Sequence, residues 1–395
     1  MMSSTPLLFD QMPVDTFLRE YWQKKPCLFK QALPGIVSPL TPDELAGLAL
    51  EDDIESRLII EHGTEHNQSP WELRRGPFTE RDFARLPDTH WTLLVQAVDQ
   101  WVPEVKDLLK SFQCLPQWRL DDIMISFAPE GGSVGPHFDQ YDVFLVQVEG
   151  TRHWDLGPAC NHLSALNTDT ELKILTDMAV TEGWDITPGD VLYVPPSVAH
   201  HGVALDNCLT YSIGFRAPDA VEMLQGLAQR LDIEPDVDFM RYQDADLSAA
   251  EAGHAITPQA LERMRAVMTK AMARDDVLAD WLGAFMTQNK YDLFDWDDVE
   301  DGNLELSPTQ FVQKALPTRI AWFGERLYVN GRAFLLTTED QPLMASLAHN
   351  QSWTWQSLTD LAASEQALEV LDLLILSGSL ELPEEDAFAA PVTVN

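Results

Sequence analysis

The spacing of apolar positions changes several times along the chain. Residues 14–31 (VDTFLREYWQKKPCLFKQ) carry an amphipathic helical stripe that runs into KKP, where Pro26 must end it. Residues 41–62 and 77–112 mix helical spacing with short strands. TPDELAGLAL at 41–50 opens on a threonine cap and an acidic first turn. From about 119 to 216 the helical period nearly vanishes. DDIMISF, YDVFLVQV, TRHWDL, DVLYVP and LTYSIGF are short β-rich segments separated by turn residues. Such spacing predicts a barrel or sandwich. After APD at 217–219 the period returns to three and four in AVEMLQGLAQRL, TPQALERMRAVMTKAMAR and DDVLADWLGAFMTQ. Stripes of this kind form a core or a subunit interface.

KYDLFDWDDVEDGNLELSP at 290–308 reads as an acidic, solvated linker. RLYVNGRAFLL at 326–336 signals a hairpin, because Asn330-Gly331 suits a type I′ turn. Helical stretches follow at 340–349, 354–362 and 364–376. Two strands with about three helices predict a winged-helix-like unit. The expected organisation is therefore a catalytic unit at 1–218 with its barrel at about 119–216. A helical segment at 219–289 follows, then the linker and winged-helix-like α+β domain at 290–395.

Charge sharpens this picture. The chain has 395 residues, with 63 Asp plus Glu against 26 Lys plus Arg, a net charge of −37. Residues 291–395 hold only Lys314, Arg319, Arg326 and Arg332 as cations. A phosphate backbone needs clustered cations, so the winged-helix-like unit is expected to pack or contact protein and not to bind nucleic acid directly. A basic protein is the partner that such an acidic surface would attract. Cys27, Cys114, Cys160 and Cys208 are scattered without a CxxC pair, which argues against a disulfide framework or thiolate zinc site. The start lacks a basic stretch leading into a long apolar core. The longest late apolar run, LDLLIL, is too short to cross a bilayer. The expectation is a cytoplasmic protein without membrane association.

Candidate chemistry lies in GPHFDQYDVFLVQ at 135–147. On a strand, His137 and Asp139 share a face. About sixty residues later TPGDVLYVPPSVAHHGVAL supplies His200 and His201, of which adjacency lets only one turn to the same site. Two imidazoles and one carboxylate leave three coordination positions open, which suits Fe(II) binding a co-substrate and dioxygen together.

GPHFDQYDVF, PGDVLYVPPSVAHHGVAL and YSIGFRAP together resemble the JmjC-type, cupin-like 2-oxoglutarate oxygenases, in their bacterial ribosomal-oxygenase branch. FLREYWQKKPCLF and LPQWRLDDIMISFA match that branch as well. The resemblance implies a double-stranded β-helix (jelly-roll) with flanking helices, a helical dimerisation segment that makes a homodimer, and a C-terminal winged helix. It implies His137, Asp139 and His200 as metal ligands, with His201 outside the set. Arg152 in EGTRHWDL would bind the distal carboxylate of 2-oxoglutarate, as guanidinium suits carboxylate. Ser126 is a candidate hydroxyl partner, and Arg216 in YSIGFR the competing cation.

The implied reaction consumes O2 and 2-oxoglutarate at Fe(II), releases succinate and hydroxylates a C–H bond. No acid–base pair is required for it. The implied substrate is an arginyl β-carbon of a basic large-subunit ribosomal protein. Glu130 and Asp142 are expected to receive the guanidinium at the pocket mouth. Four alternatives stand beside this reading: a histidyl hydroxylase of a ribosomal protein, a non-catalytic cupin that binds a basic partner, a metal-dependent cupin that has no need of Arg152, and a winged-helix regulator, against which the terminal charge count argues.

Overall fold

The computed structural model describes residues 7–62, 71–233, 240–249, 251, 253–291, 293, 294, 296, 299, 302 and 304–383. The chain forms two compact units, Met1–Ala217 and Pro218–Asn395.

The first unit opens with α1 (Val14–Glu20), β1 (Cys27–Phe29) and α2 (Pro42–Leu48). The helix expected to run from 14 into Pro26 thus ends earlier, at Glu20, and beyond the proline Cys27–Phe29 is a strand. The acidic start of α2 forms a capping box between Thr41 and Glu44. Three further strands follow, β2 (Ser56–Glu61), β3 (Trp71–Arg75) and β4 (Trp91–Val95). The barrel strands are β5 (Leu120–Ala128), β6 (Asp142–Glu149), β7 (Arg152–Ala159), β8 (Glu182–Ile186), β9 (Val191–Val194), β10 (Val198–Ala204) and β11 (Cys208–Phe215).

These strands form two antiparallel sheets. The larger runs β1-β9-β6-β11-β5-β4-β2-β3 and the smaller β8-β7-β10. Strand alternation gives the large sheet two apolar faces. Phe144, Val146, Tyr193, Ile213 and Phe215 point outward under Phe17 of α1, whose ring lies 5.0 Å from that of Tyr193. Val143, Leu145, Leu192 and Val194 point inward and meet Trp154, Leu156, Ile186 and Val198 of the small sheet. Each such fully buried side chain contributes roughly 1.5–3 kcal/mol. The result is the predicted cupin-like double-stranded β-helix.

Asp142 belongs to the outward set. Its carboxylate is fully buried, paired with Arg119 Nη2 at 2.9 Å, and accepts bonds from Tyr193 Oη at 2.6 Å and Gln23 Nε2 at 3.0 Å. It ties the N-terminal segment to the barrel. The expected guanidinium-receiving role at the pocket mouth does not fit this placement.

The second unit contains α3 (Ala220–Asp232), α4 (Pro258–Met272) and α5 (Asp275–Thr287). A hairpin sheet follows, of β12 (Ile320–Phe323), β13 (Arg326–Val329) and β14 (Arg332–Leu335). Asn330 and Gly331 both have positive φ, as the type I′ turn demands. Helices α6 (Gln341–His349) and α7 (Glu365–Leu376) complete a core of Leu327, Val329, Leu343, Leu347, Leu371 and Leu374. This is the predicted winged-helix-like arrangement.

The expected break at 289/290 is absent from the packing. A Cβ on Gly283 of α5 would collide with the Tyr328 ring, and Asp280 of α5 pairs with Arg326 of β13 at 2.7 Å. Helix α5 is thus part of the terminal fold. Helix α4 buries no residue. Asp292, Asp295, Asp297, Asp298, Glu300 and Asp301 of the predicted acidic linker lie outside the described residues.

Candidate metal centre

His137 does not lie inside a strand, contrary to the sequence expectation. Residues 131–140 form an irregular arm, and the strand begins only at Asp142. The arm runs beside β10 and meets it at two bridges, Ser133–Val203 and His137–His200. Gly135 bends the arm at φ +81°. A Cβ there would fall 2.9 Å from Ile174, so the turn also needs a residue without a side chain.

The bridge brings together what lies far apart in sequence. His137 N donates to His200 O at 3.0 Å and His200 N to His137 O at 2.8 Å. The two ring centroids are 4.2 Å apart. Asp139 Oδ2 lies 3.5 Å from His200 Nε2 and 3.9 Å from His137 Nε2. Among the described residues, this trio alone offers three His, Cys, Asp or Glu ligand atoms within 4.8 Å of one another.

Protonation is set locally. Nδ1 of His137 donates to Gly135 O at 2.9 Å, and Nδ1 of His200 donates to Val198 O at 3.0 Å. Each Nε2 is then left as a lone-pair donor that faces Asp139. Burial, followed by the neighbouring His137, pushes the His200 pKa down to about 4. Its imidazole is therefore neutral and ready to ligate at neutral pH. Ser197 N donates to the Asp139 carbonyl at 2.6 Å and fixes the backbone of the third member of the trio. His201, next along β10, lies opposite Asp155, while His153 bonds Asp185 at 2.6 Å and Asp155 at 3.2 Å. Both belong to the outer face of the small sheet, as alternation predicted.

Arg152 begins β7 and points between the sheets with Trp154 and Leu156. It is 3% exposed, yet its Nε and Nη2 have no hydrogen-bond partner. A buried guanidinium in that state requires an anion. In the register Arg152 lies opposite Ala204, and Leu156 opposite His200. Four residues separate the two rows, about 13 Å of strand. An arginine side chain and a five-carbon dicarboxylate together cover such a distance. Donor set and orphaned guanidinium thus both fit the pair of a divalent metal and 2-oxoglutarate. Ser126 is buried on the inner face of β5 and donates to Thr210 O at 3.3 Å. Arg216 is engaged by Asp121 at 2.7 Å.

Glu130 is misplaced by the sequence expectation. It is exposed and follows the far end of β5, next to the Gly131 N–Ala204 O bond. The metal trio lies towards the other end of β10. The acid that the sequence reading missed is Asp122. It shares the inner face of β5 with Met124 and Ser126, and it accepts from Gln96 Nε2 at 2.8 Å. Both Asp122 and Tyr141 border Gly214: a Cβ there would lie 3.9 Å from Asp122 Oδ1 and 4.0 Å from Tyr141 Cε2. The Tyr141 residue is 43% exposed, but its hydroxyl end is desolvated. That burial, then the charges of Asp139 and Asp122, raise its pKa. The parity of DDIMISF was the available signal, since Asp122 is four residues before Ser126.

A jelly-roll with a His-x-Asp…His trio and a carboxylate-seeking arginine is the architecture of a JmjC-type oxygenase. The JmjC domain family matches residues 107–223, and the ROXA-like winged helix matches residues 267–381, which includes α5. The chain is 33% identical over 376 residues to the ribosomal protein uL16 3-hydroxylase of Escherichia coli (strain K12), covering 92% of this chain and 95% of that protein. The X-ray structure of E. coli YcfD superposes with a TM-score of 0.79 at 31% identity, over 93% of this chain and 97% of that one. YcfD in complex with cobalt and 2-oxoglutarate, described as a ribosomal oxygenase, superposes with a TM-score of 0.77 at 30% identity, over 94% and 98%. The chain belongs to the ribosomal oxygenase family.

Proposed function

We propose that this protein is an Fe(II)- and 2-oxoglutarate-dependent hydroxylase of an arginyl side chain, at the β-carbon, in a basic ribosomal protein of the large subunit. The carrying observation is the His137–Asp139–His200 trio together with the buried, unpartnered Arg152. The E. coli relative's name as a uL16 3-hydroxylase supports the substrate class. His137, Asp139 and His200 would hold the iron. Arg152 would anchor the distal carboxylate of the keto acid, with Ser126 on the inner face of the other sheet.

When bound, the iron and keto acid supply the oxidising power that inserts one atom of O2 into a C–H bond while succinate and carbon dioxide are formed. The chain's own task is placement. Inner-face apolar residues such as Leu145, Leu192 and Val194 exclude water. Asp122 and Tyr141 offer a carboxylate and an aromatic face, a pairing that suits a guanidinium better than an imidazole. The net charge of −37 would draw a basic protein and repel RNA.

The working form is read as a cytoplasmic homodimer. Among the described residues no helix is long and apolar enough to cross a membrane. Leu261, Met264, Met268 and Met272 form an exposed stripe at helical spacing on α4, a face suited to a second copy.

The test is incubation of the protein with Fe(II), 2-oxoglutarate, O2 and unmodified large-subunit ribosomal proteins, followed by peptide mass spectrometry. Gain of one oxygen on a single arginine, with succinate formed in step, is the expected result. Oxygen on a histidine would move the protein to histidyl hydroxylation. Absence of any metal-dependent succinate would leave a binding cupin.

A further inference from the structure

A second unmet demand inside the barrel comes from Trp154. Its residue is 4% exposed, and its indole Nε1 is buried with no hydrogen-bond partner. It shares the inner face of β7 with Arg152 and Leu156. In the register Trp154 lies opposite Trp184 and Gly202. That row is midway between the one holding Arg152 and the one holding His200. The ring is 5.8 Å from the His200 ring and 5.8 Å from the Arg152 guanidinium carbon. Gly202 permits this placement, since a Cβ there would fall 2.7 Å from the indole.

An indole nitrogen can only donate. Left unmet in an apolar interior it costs as much as a lost hydrogen bond, and phenylalanine would fill space without that cost. The neighbouring unmet groups, Arg152 Nε and Nη2, are also donors. Three donors on one strand face, flanked by a metal trio, call for an anionic ligand with several oxygens.

We propose that the Trp154 indole N–H donates to a carboxylate oxygen of the co-substrate, so that Trp154 and Arg152 together orient the keto acid towards the metal. This rests on the 2-oxoglutarate reading above. The binding is then more than a charge pairing. Arg152 selects the anion, and Trp154 fixes the rotation of the bound acid about its long axis.

The test replaces Trp154 by β-(3-benzothienyl)alanine, which keeps the shape and removes the N–H. Trp154→Phe is the second variant. Anaerobic titration of 2-oxoglutarate into the Fe(II) protein, followed by its visible charge-transfer band, gives the Kd. Metal affinity and thermal midpoint are measured beside it. A Kd raised about tenfold in the isostere, with metal affinity and midpoint unchanged, supports the proposal. An unchanged Kd overturns it while leaving the co-substrate reading intact. Loss of metal affinity in the isostere also overturns it, because Trp154 would then act by supporting His200. A wild-type protein that binds Fe(II) but no 2-oxoglutarate overturns the co-substrate reading, and this inference with it.

Discussion

His137 and His200 are held by one device used twice. Each ring's Nδ1 donates to the carbonyl two residues earlier, Gly135 at 2.9 Å and Val198 at 3.0 Å. The two backbones are also bonded to each other, at 3.0 and 2.8 Å. Tautomer and ring orientation are therefore fixed by the chain before any metal arrives.

Removal of one ligand should separate metal binding from folding. Asp139→Ala is expected to weaken Co(II) affinity at least about 100-fold, since loss of even an outer partner of a ligand costs 10–100-fold. The thermal midpoint of the apo protein should change little. Cobalt absorption titration and a thermal melt check both halves.

Arg152→Ala should raise the KM for 2-oxoglutarate by about 100-fold while Co(II) affinity holds. Two charge-assisted hydrogen bonds, at roughly 1.5–3 kcal/mol each, are at stake. Lysine should recover only part of the loss, because it lacks the planar fork. Normal co-substrate KM in Arg152→Ala would remove this residue from the site.

Asp122→Asn is predicted to act on the ribosomal substrate alone. The carboxylate is buried, bonded by Gln96, and close enough for its charge to act on Tyr141. Its neutralisation should raise the KM for an arginyl peptide at least tenfold, with 2-oxoglutarate affinity unaltered. Glu130→Ala should leave both constants as they are.

Asp340 makes the terminal unit acid-sensitive. It accepts from Thr337 N and Oγ1, Ala363 N, and Ser364 N and Oγ, which joins the start of α6 to the start of α7. Burial opposes its ionisation, but these donors outweigh burial and pull the pKa from 3.8 down to about 2. A folded-state pKa below the unfolded one stabilises above the unfolded value, and the gain disappears as pH falls from about 4 to about 2. The urea midpoint should drop across that window, and less steeply in Asp340→Asn. At neutral pH Asp340→Ala should cost about 3 kcal/mol.

A charge placed on the α4 stripe should report on assembly. If the proposed homodimer forms, Met268→Glu, with Leu261→Glu as a second variant, is expected to halve the mass that wild type shows in light scattering at the same concentration. Wild type that scatters as a monomer would end the dimer reading.

The β-rich stretch from 119 to 216 was legible because its strands are short, alternating and separated by turn residues. The hairpin at Asn330-Gly331 was legible because few dipeptides tolerate two positive φ values. The failures have physical reasons too. Asp142 and Glu130 are both close to His137 in sequence, but closeness in sequence does not place a side chain at the mouth. Asp142 has the parity of Phe144 and Val146 and so faces outward, while Glu130 lies at the opposite end of β5. The break at 289/290 was drawn from charge and texture, which do not reveal that Gly283 lets Tyr328 lie against α5.

The sequence by itself determined which residue types were available: the HxD pair, the distant histidine, one arginine at the head of a strand, and a strongly acidic total. Those are properties of local order and composition. Only the tertiary structure decided that His137 pairs with His200, that Asp122 and not Glu130 or Asp142 lines the inner face, and that Arg152 and Trp154 are buried without partners. Each of these depends on strand register between segments tens of residues apart, and register is fixed by the packing of both sheet faces at once.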